Sequence, residues 1–112
     1  MVVMADIGEL ELRAAEATKL LGALANERRL LIMCQIADSE MSVGEIQDCV
    51  GISQSALSQH LAVLREQGLV STRRESQTIY YKLASEEAQR LIETLADIYC
   101  PPAAKPSKRK KC

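Results

Sequence analysis

The sequence predicts a mainly α-helical fold carrying one small β-hairpin. Two observations predict it. Apolar residues recur at three- and four-residue spacing through five segments, each bounded by capping or breaking residues. One stretch, residues 69–83, is instead rich in branched and aromatic residues around a polar centre.

The first helix is expected over residues 7–24, with Ile7, Leu10, Ala14, Ala17, Leu21 and Leu24 in a stripe that needs a partner surface. The second starts behind Asn26, a good N-cap, and presents Leu30, Met33, Cys34 and Ala37 before Asp38, Ser39 and Glu40 interrupt the pattern. Cys34 is thereby expected at a buried position. Ser42 and Glu45 have capping-box spacing, opening a short helix that ends near Val50, with Gly51 as its stop. Ser53 caps the next helix, which runs to about Gln67, buries Leu57, Leu61 and Leu64, and ends at Gly68. Two short helices across the tight Gly51-Ile52-Ser53 turn spell a helix-turn-helix.

Residues 69–72 and 78–83 read as the two strands of the hairpin, with the polar residues 73–77 between them. Ser85 caps a last helix whose Ala88, Leu91, Ile92, Leu95, Ala96 and Ile98 form an apolar face before Pro101 and Pro102 stop it. The expected organisation is one domain over residues 1–100 and a basic, disordered tail over residues 101–112.

Composition limits what the chain can be. An apolar share of 47% without Trp or Phe leaves the core to Leu, Ile, Val and Ala, which suits packed helices. No apolar run approaches the ~20 residues that span a bilayer, and the acidic N-terminal segment lacks the basic start of a secretion signal, so a cytoplasmic protein without membrane attachment is expected. Four cysteines without a CxxC pair do not make a disulfide framework. The net charge of −1 hides an asymmetry. Residues 1–104 hold nine basic against fifteen acidic side chains, a net of −6, and the tail holds Lys105, Lys108, Arg109, Lys110 and Lys111. Between Gly51 and Lys82, however, Arg65, Arg73, Arg74 and Lys82 outnumber Glu66 and Glu75, a local excess suited to phosphate.

Burying Leu57, Leu61 and Leu64 leaves Gln54, Ser55, Ser58, Gln59 and Arg65 toward solvent, concentrated at the N-terminal end of their helix. Gln pairs bidentately with adenine, Ser meets bases or phosphates, and a helix N-terminus favours an anionic oxygen. A polar stripe alone is more often a solvated face. The hairpin that follows shifts the reading, because Arg73, Arg74 and Gln77 stand where a wing meets the DNA backbone or minor groove. His60, the single histidine, lies beside the buried seam and is read as a packing or phosphate-contact residue, which excludes a multi-histidine zinc site. The expected ligand is double-stranded operator DNA, with no metal and no cofactor.

Three segments, Ala23 to Arg29 (ALANERR), Ser53 to Arg65 (SQSALSQHLAVLR) and Arg73 to Tyr81 (RRESQTIYY), resemble the ArsR-type winged helix-turn-helix repressors, and the resemblance covers about residues 20–100. It implies four helices, a β-wing and a final helix, in a homodimer formed chiefly by the first and last helices. Ser76 departs from it, standing where many relatives carry Gly at the wing tip. Many relatives sense metals through paired cysteines before the recognition helix or through His and acidic ligands on the last helix, and both sets are missing here. Cys34 and Cys100 instead resemble the dithiol of the family's persulfide-sensing branch, which implies reactive sulfur species as inducer, linking the two thiols and weakening operator binding. The residues themselves leave alternatives open: buried cysteines as small hydrophobes, a metal-responsive or general thiol-redox repressor, or a dithiol oxidoreductase. The regulator reading makes the chain no enzyme. Cys49 is read as packing and Cys112 as an exposed thiol without assigned function.

Overall fold

The computed structural model describes residues 7–100. The chain runs α1 (Ile7–Leu12), α2 (Ala14–Leu24), α3 (Glu27–Asp38), β1 (Met41–Ser42), α4 (Val43–Val50), α5 (Gln54–Glu66), β2 (Val70–Glu75), β3 (Thr78–Leu83) and α6 (Glu86–Tyr99). This is the expected fold class, mostly helical with a small antiparallel hairpin. The basic tail and Cys112 lie outside the described residues.

The caps fall where side-chain chemistry places them. Asn26 accepts from the Arg29 amide at 3.0 Å, Ser53 from Ala56 at 3.1 Å and Ser85 from Ala88 at 3.1 Å. Ser42 and Glu45 form the reciprocal box, the Ser42 amide donating to the Glu45 carboxylate at 2.9 Å and the Glu45 amide to the Ser42 hydroxyl at 3.2 Å. At the other ends Gly51 and Gly68 take φ of +74° and +73°, the left-handed conformation that lets α4 and α5 stop and turn within a residue or two.

Four expectations are corrected in detail. The first helix is broken at Arg13, whose amide still reaches Glu9 and Leu10, so α1 and α2 are two pieces of the expected single element. On α3 the buried residues are Ile32, Met33 and Ile36, while Leu30, Cys34 and Ala37 are only partly buried. The buried face is therefore turned by about one residue, ~100°, from the expected stripe. The apolar run Leu30 to Cys34 offers two faces of nearly equal hydrophobicity, and the packed core takes the one that carries Ile32, Met33 and Ile36. The hairpin strands run to Glu75 and restart at Thr78, leaving only Ser76 and Gln77 as the turn rather than five polar residues. Finally, the two-residue strand β1 joins the hairpin to give the order β1-β3-β2, with Met41 opposite Tyr81 and Ser42 opposite Tyr80.

One core unites the elements. Ile32, Met33, Ile46, Leu57 and Leu64 are at 0% exposure and gather with Ile36, Leu61, Leu69, Val70, Tyr81, Ala88 and Ile92. No charged or polar side chain is buried among the described residues, so no desolvated charge opposes the packing. The sheet turns one face to this core. Val70 and Thr72 on β2, with Ile79, Tyr81 and Leu83 on β3, alternate with Ser71, Arg73 and Glu75 against Thr78, Tyr80 and Lys82 on the outer face.

Candidate nucleic-acid interface

α5 is anchored by Leu57, Leu61 and Leu64, a spacing of four and three residues that commits one side of the helix to the core. Its other side is the candidate reading surface. Gln54, Ser55, Ser58, Gln59 and Arg65 are all exposed. The Ser53 hydroxyl, besides capping the helix, stands 3.3 Å from that of Ser55. The first-turn amides and four short polar side chains are thus grouped at one end of a rigid helix. α5 has no acidic residue in its first turn, which keeps the partial positive charge of that end available to an anion.

His60 sits differently from this group. It is half-buried, and its Nδ1 lies 3.5 Å from Nη1 of Arg29. Burial first, and the neighbouring guanidinium second, hold its pKa below the usual 6.5. Arg29 also donates to the Ala23 carbonyl at 2.9 Å and to the Gly22 carbonyl at 3.4 Å. Sequence reasoning placed His60 beside the seam but gave no role to Arg29, the last residue of the ALANERR segment.

The wing follows α5 directly. Gly68 carries the chain from helix to strand, and β2 and β3 are paired from Val70↔Leu83 out to Glu75↔Thr78. Ser76 takes a φ of +60°, so the turn demands the conformation that Gly adopts without cost, and a serine supplies it. Arg74 and Gln77 are exposed near the tip, with Arg74 Nε donating to the Ser76 carbonyl at 3.3 Å. Arg73 is exposed too, but its guanidinium forks onto Glu40, with Nε to Oε2 at 3.0 Å and Nη2 to Oε1 at 2.8 Å. It also donates from Nη1 to Glu75 at 2.9 Å and lies 4.6 Å from the centre of the Tyr80 ring. These bonds hold the Glu40 carboxyl below the usual carboxylate range and the Arg73 pKa above its own. Glu40 is a second residue that sequence reading passed over, because in the sequence it only ended a helix.

The two thiols are placed by helices that touch. Cys34 is half-buried on α3 and packed against the core, and Cys100 is exposed at the end of α6, its amide bonded to the Ala96 carbonyl at 2.7 Å. α3 packs against α6. Among the described residues no three His, Cys, Asp or Glu side chains converge as a metal site, and no helix is long and apolar enough to cross a membrane.

A capped short helix, a tight turn, a second helix with a polar outer side and then a paired wing define the class: a winged helix-turn-helix transcriptional regulator. Residues 26–72 match the family described as "Bacterial regulatory protein, arsR family". The chain belongs to that family. It is 53% identical to the transcriptional activator HlyU of Vibrio cholerae over 85% of this chain and 88% of HlyU. The structure of reduced HlyU superposes with a TM-score of 0.79, covering 84% of this chain and 99% of that one. The biofilm growth-associated repressor of Agrobacterium fabrum is 49% identical over 87% of both chains. The chain is also similar to the homodimeric winged helix-turn-helix domain Mb0332 of Mycobacterium bovis, at 28% identity and a TM-score of 0.69, over 98% of this chain and 100% of that one.

Proposed function

We propose that the protein is a homodimeric repressor that reads duplex operator DNA and releases it when Cys34 and Cys100 are linked by reactive sulfur. The observation that carries the DNA reading is the exposed set Gln54, Ser55, Ser58 and Gln59 at the capped N-terminal end of α5, above a side fixed by three buried leucines. That end enters the major groove, Arg65 meets the flanking backbone, and Arg74 and Gln77 at the wing tip meet the adjacent strand. His60 acts from behind, through its contact with Arg29. Dimerisation is supported by Ile7, Leu10, Leu12 and Leu21 on α1 and α2, and Ile98 and Tyr99 on α6, large apolar side chains left in water by a single chain. Mb0332, a relative of known homodimeric form, has the same fold.

The sensing chemistry is supported by the family resemblance, by the packing of α3 on α6, and by one relative having been solved in a reduced form. An organic trisulfide, R–S–S–S–R, is the reagent. The Cys100 thiolate attacks the central sulfur and displaces one R–S⁻, giving a Cys100–S–S–S–R adduct. The Cys34 thiolate then attacks the same central sulfur and displaces the second. Two thiols and one trisulfide become one Cys34–S–S–S–Cys100 bridge and two R–SH, the thiol protons going to the leaving groups. A direct disulfide needs Cα atoms within about 7 Å, and the inserted sulfur relaxes that limit. The bridge shifts α6 against α3 and so alters the spacing of the paired recognition helices.

The test is mass spectrometry of the intact protein and its peptides after trisulfide treatment. Affinity for a duplex selected from a random library by the reduced protein is measured on the same samples. A bridge carrying one extra sulfur, with affinity lost and then restored by reductant, is expected. Unmodified thiols with unchanged affinity overturn the sensing reading and leave the DNA reading intact.

A further inference from the structure

Arg73 spans the wing instead of projecting from it. On the outer face of the sheet Arg73 is paired in register with Tyr80, and Tyr80 with Ser42 of β1, so the three residues form one row across all three strands. Glu40 lies two residues before Ser42 and so shares its face. The guanidinium crosses this row. It starts on β2, lies over the Tyr80 ring of β3 and ends on the carboxylate just ahead of β1. Arg74, one residue on, belongs to the opposite face, the one that carries Val70 and Thr72 toward the helical core that includes α5.

We propose that Arg73 and Glu40 are wing-positioning residues: together they strap the sheet so that Arg74 and the Ser76-Gln77 turn are held at a fixed angle to the recognition helix. The inference deepens the DNA-binding reading above and rests on it.

Three physical points support it. The guanidinium has five N–H donors, and three of them already serve Glu40 and Glu75. A phosphate arriving there would meet two carboxylates against one cation, a local repulsion rather than a socket. Isolated exposed ion pairs contribute little, but a bidentate fork within a carboxylate network, seated on an aromatic ring, is the arrangement that does contribute. The strap also ends at the right place. From Glu40 only Met41 intervenes before Ser42, the residue that caps α4, and α4 leads through Gly51 into α5. The fork therefore adds a side-chain tie between the wing and the helix-turn-helix, beside the β1–β3 pairing and the covalent link through Gly68. β1 is only two residues long, held by its pairing to β3 and by Met41 in the core, and the fork adds a third hold on its outer face.

The experiment compares wild type, Glu40→Gln, Arg73→Met, the double variant and Arg74→Met for affinity to a duplex selected by the wild-type protein, over a series of salt concentrations. Backbone hydrogen exchange of the free proteins is followed in parallel. A positioning role predicts that Glu40→Gln and Arg73→Met each weaken binding by about five- to tenfold, and that the double variant is no weaker than the worse single. Both leave the salt slope unchanged, whereas Arg74→Met lowers it by about 0.9, one phosphate contact. Amides of β2, β3 and the Ser76-Gln77 turn exchange faster in Glu40→Gln and Arg73→Met, while those of α3 and α5 stay protected and so report that the fold is kept. The proposal is overturned if Glu40→Gln tightens binding and Arg73→Met lowers the salt slope by about 0.9, the signature of a phosphate contact that Glu40 merely competes for. It is equally overturned if wing exchange does not change. If wild type selects no duplex at all, the DNA-binding reading fails, and the exchange data still decide the strap.

Discussion

Arg29 joins two helices through one side chain: its Nη1 stands 3.5 Å from His60 Nδ1 on α5 while its Nε donates to the Ala23 carbonyl near the end of α2. The imidazole is held below its ordinary pKa by burial and then by the guanidinium, so the folded chain resists taking up a proton that the unfolded chain accepts.

Stability therefore rises with pH across the interval between the depressed folded value and about 6.5, because there the unfolded state binds more protons. Thermal melts from pH 8 down to pH 5 are expected to show a drop that begins near pH 6.5 and levels once His60 is protonated in both states. His60→Gln should remove that drop. A variant that keeps it would assign the pH response to another group.

Gln54 and Gln59 are exposed at the reading end of α5, and Arg74 near the wing tip. Gln59→Ala is expected to cost about 1–3 kcal/mol on the preferred duplex and to relax the preference at one base pair. Arg74→Met should weaken all sequences alike. Binding to single-base variants of the selected duplex separates the two, and uniform loss in Gln59→Ala would reassign that side chain to the backbone.

Ser76 holds a φ of +60° at the wing turn. The left-handed conformation costs an L-residue about 1–2 kcal/mol, and glycine avoids this at an entropic cost of roughly 0.5–1 kcal/mol. Ser76→Gly should thus stabilise the protein by about 0.5–1 kcal/mol, read as a raised denaturant midpoint with an unchanged slope. An unmoved or lowered midpoint would mean that the serine side chain contributes something its backbone obscures.

Leu64 is fully buried under α5, whereas Ser53 acts only at its end. Leu64→Ala is expected to cost about 2–5 kcal/mol and Ser53→Ala about 1 kcal/mol in urea unfolding. Equal costs would show that the α5 seam collapses around the deleted side chain.

The order of elements was readable because each signal was local. Asn26, Ser42, Ser53 and Ser85 announce helix starts through their own hydroxyl or amide chemistry, and all four caps form. The α5 seam was equally legible, since Leu57, Leu61 and Leu64 share one side of the helix and Val63 is the only other large apolar residue on it. The α3 face was not, because five successive apolar residues fit two phases and only tertiary packing selects between them. Nor was the wing's extent: Arg73, Arg74 and Glu75 look like loop by composition, and their backbone pairing with Tyr80, Ile79 and Thr78 across the hairpin makes a strand of them. The exposed polar side of α5, the candidate reading surface, could be located because burying the leucines fixes which residues face outward. The partnership of Glu40 with Arg73 could not, because the residues are 33 positions apart.

Leu12 at 84% and Tyr99 at 76% exposure have a thermodynamic consequence. In the proposed homodimer a second chain covers them and binds only the folded form, so mass action would make the melting temperature climb with the logarithm of protein concentration. On that reading the number of copies per cell becomes a variable of the proposed switch. Dilution would loosen the fold and separate the two reading heads in the same step, so operator occupancy would fall more steeply than the affinity of either head alone would give.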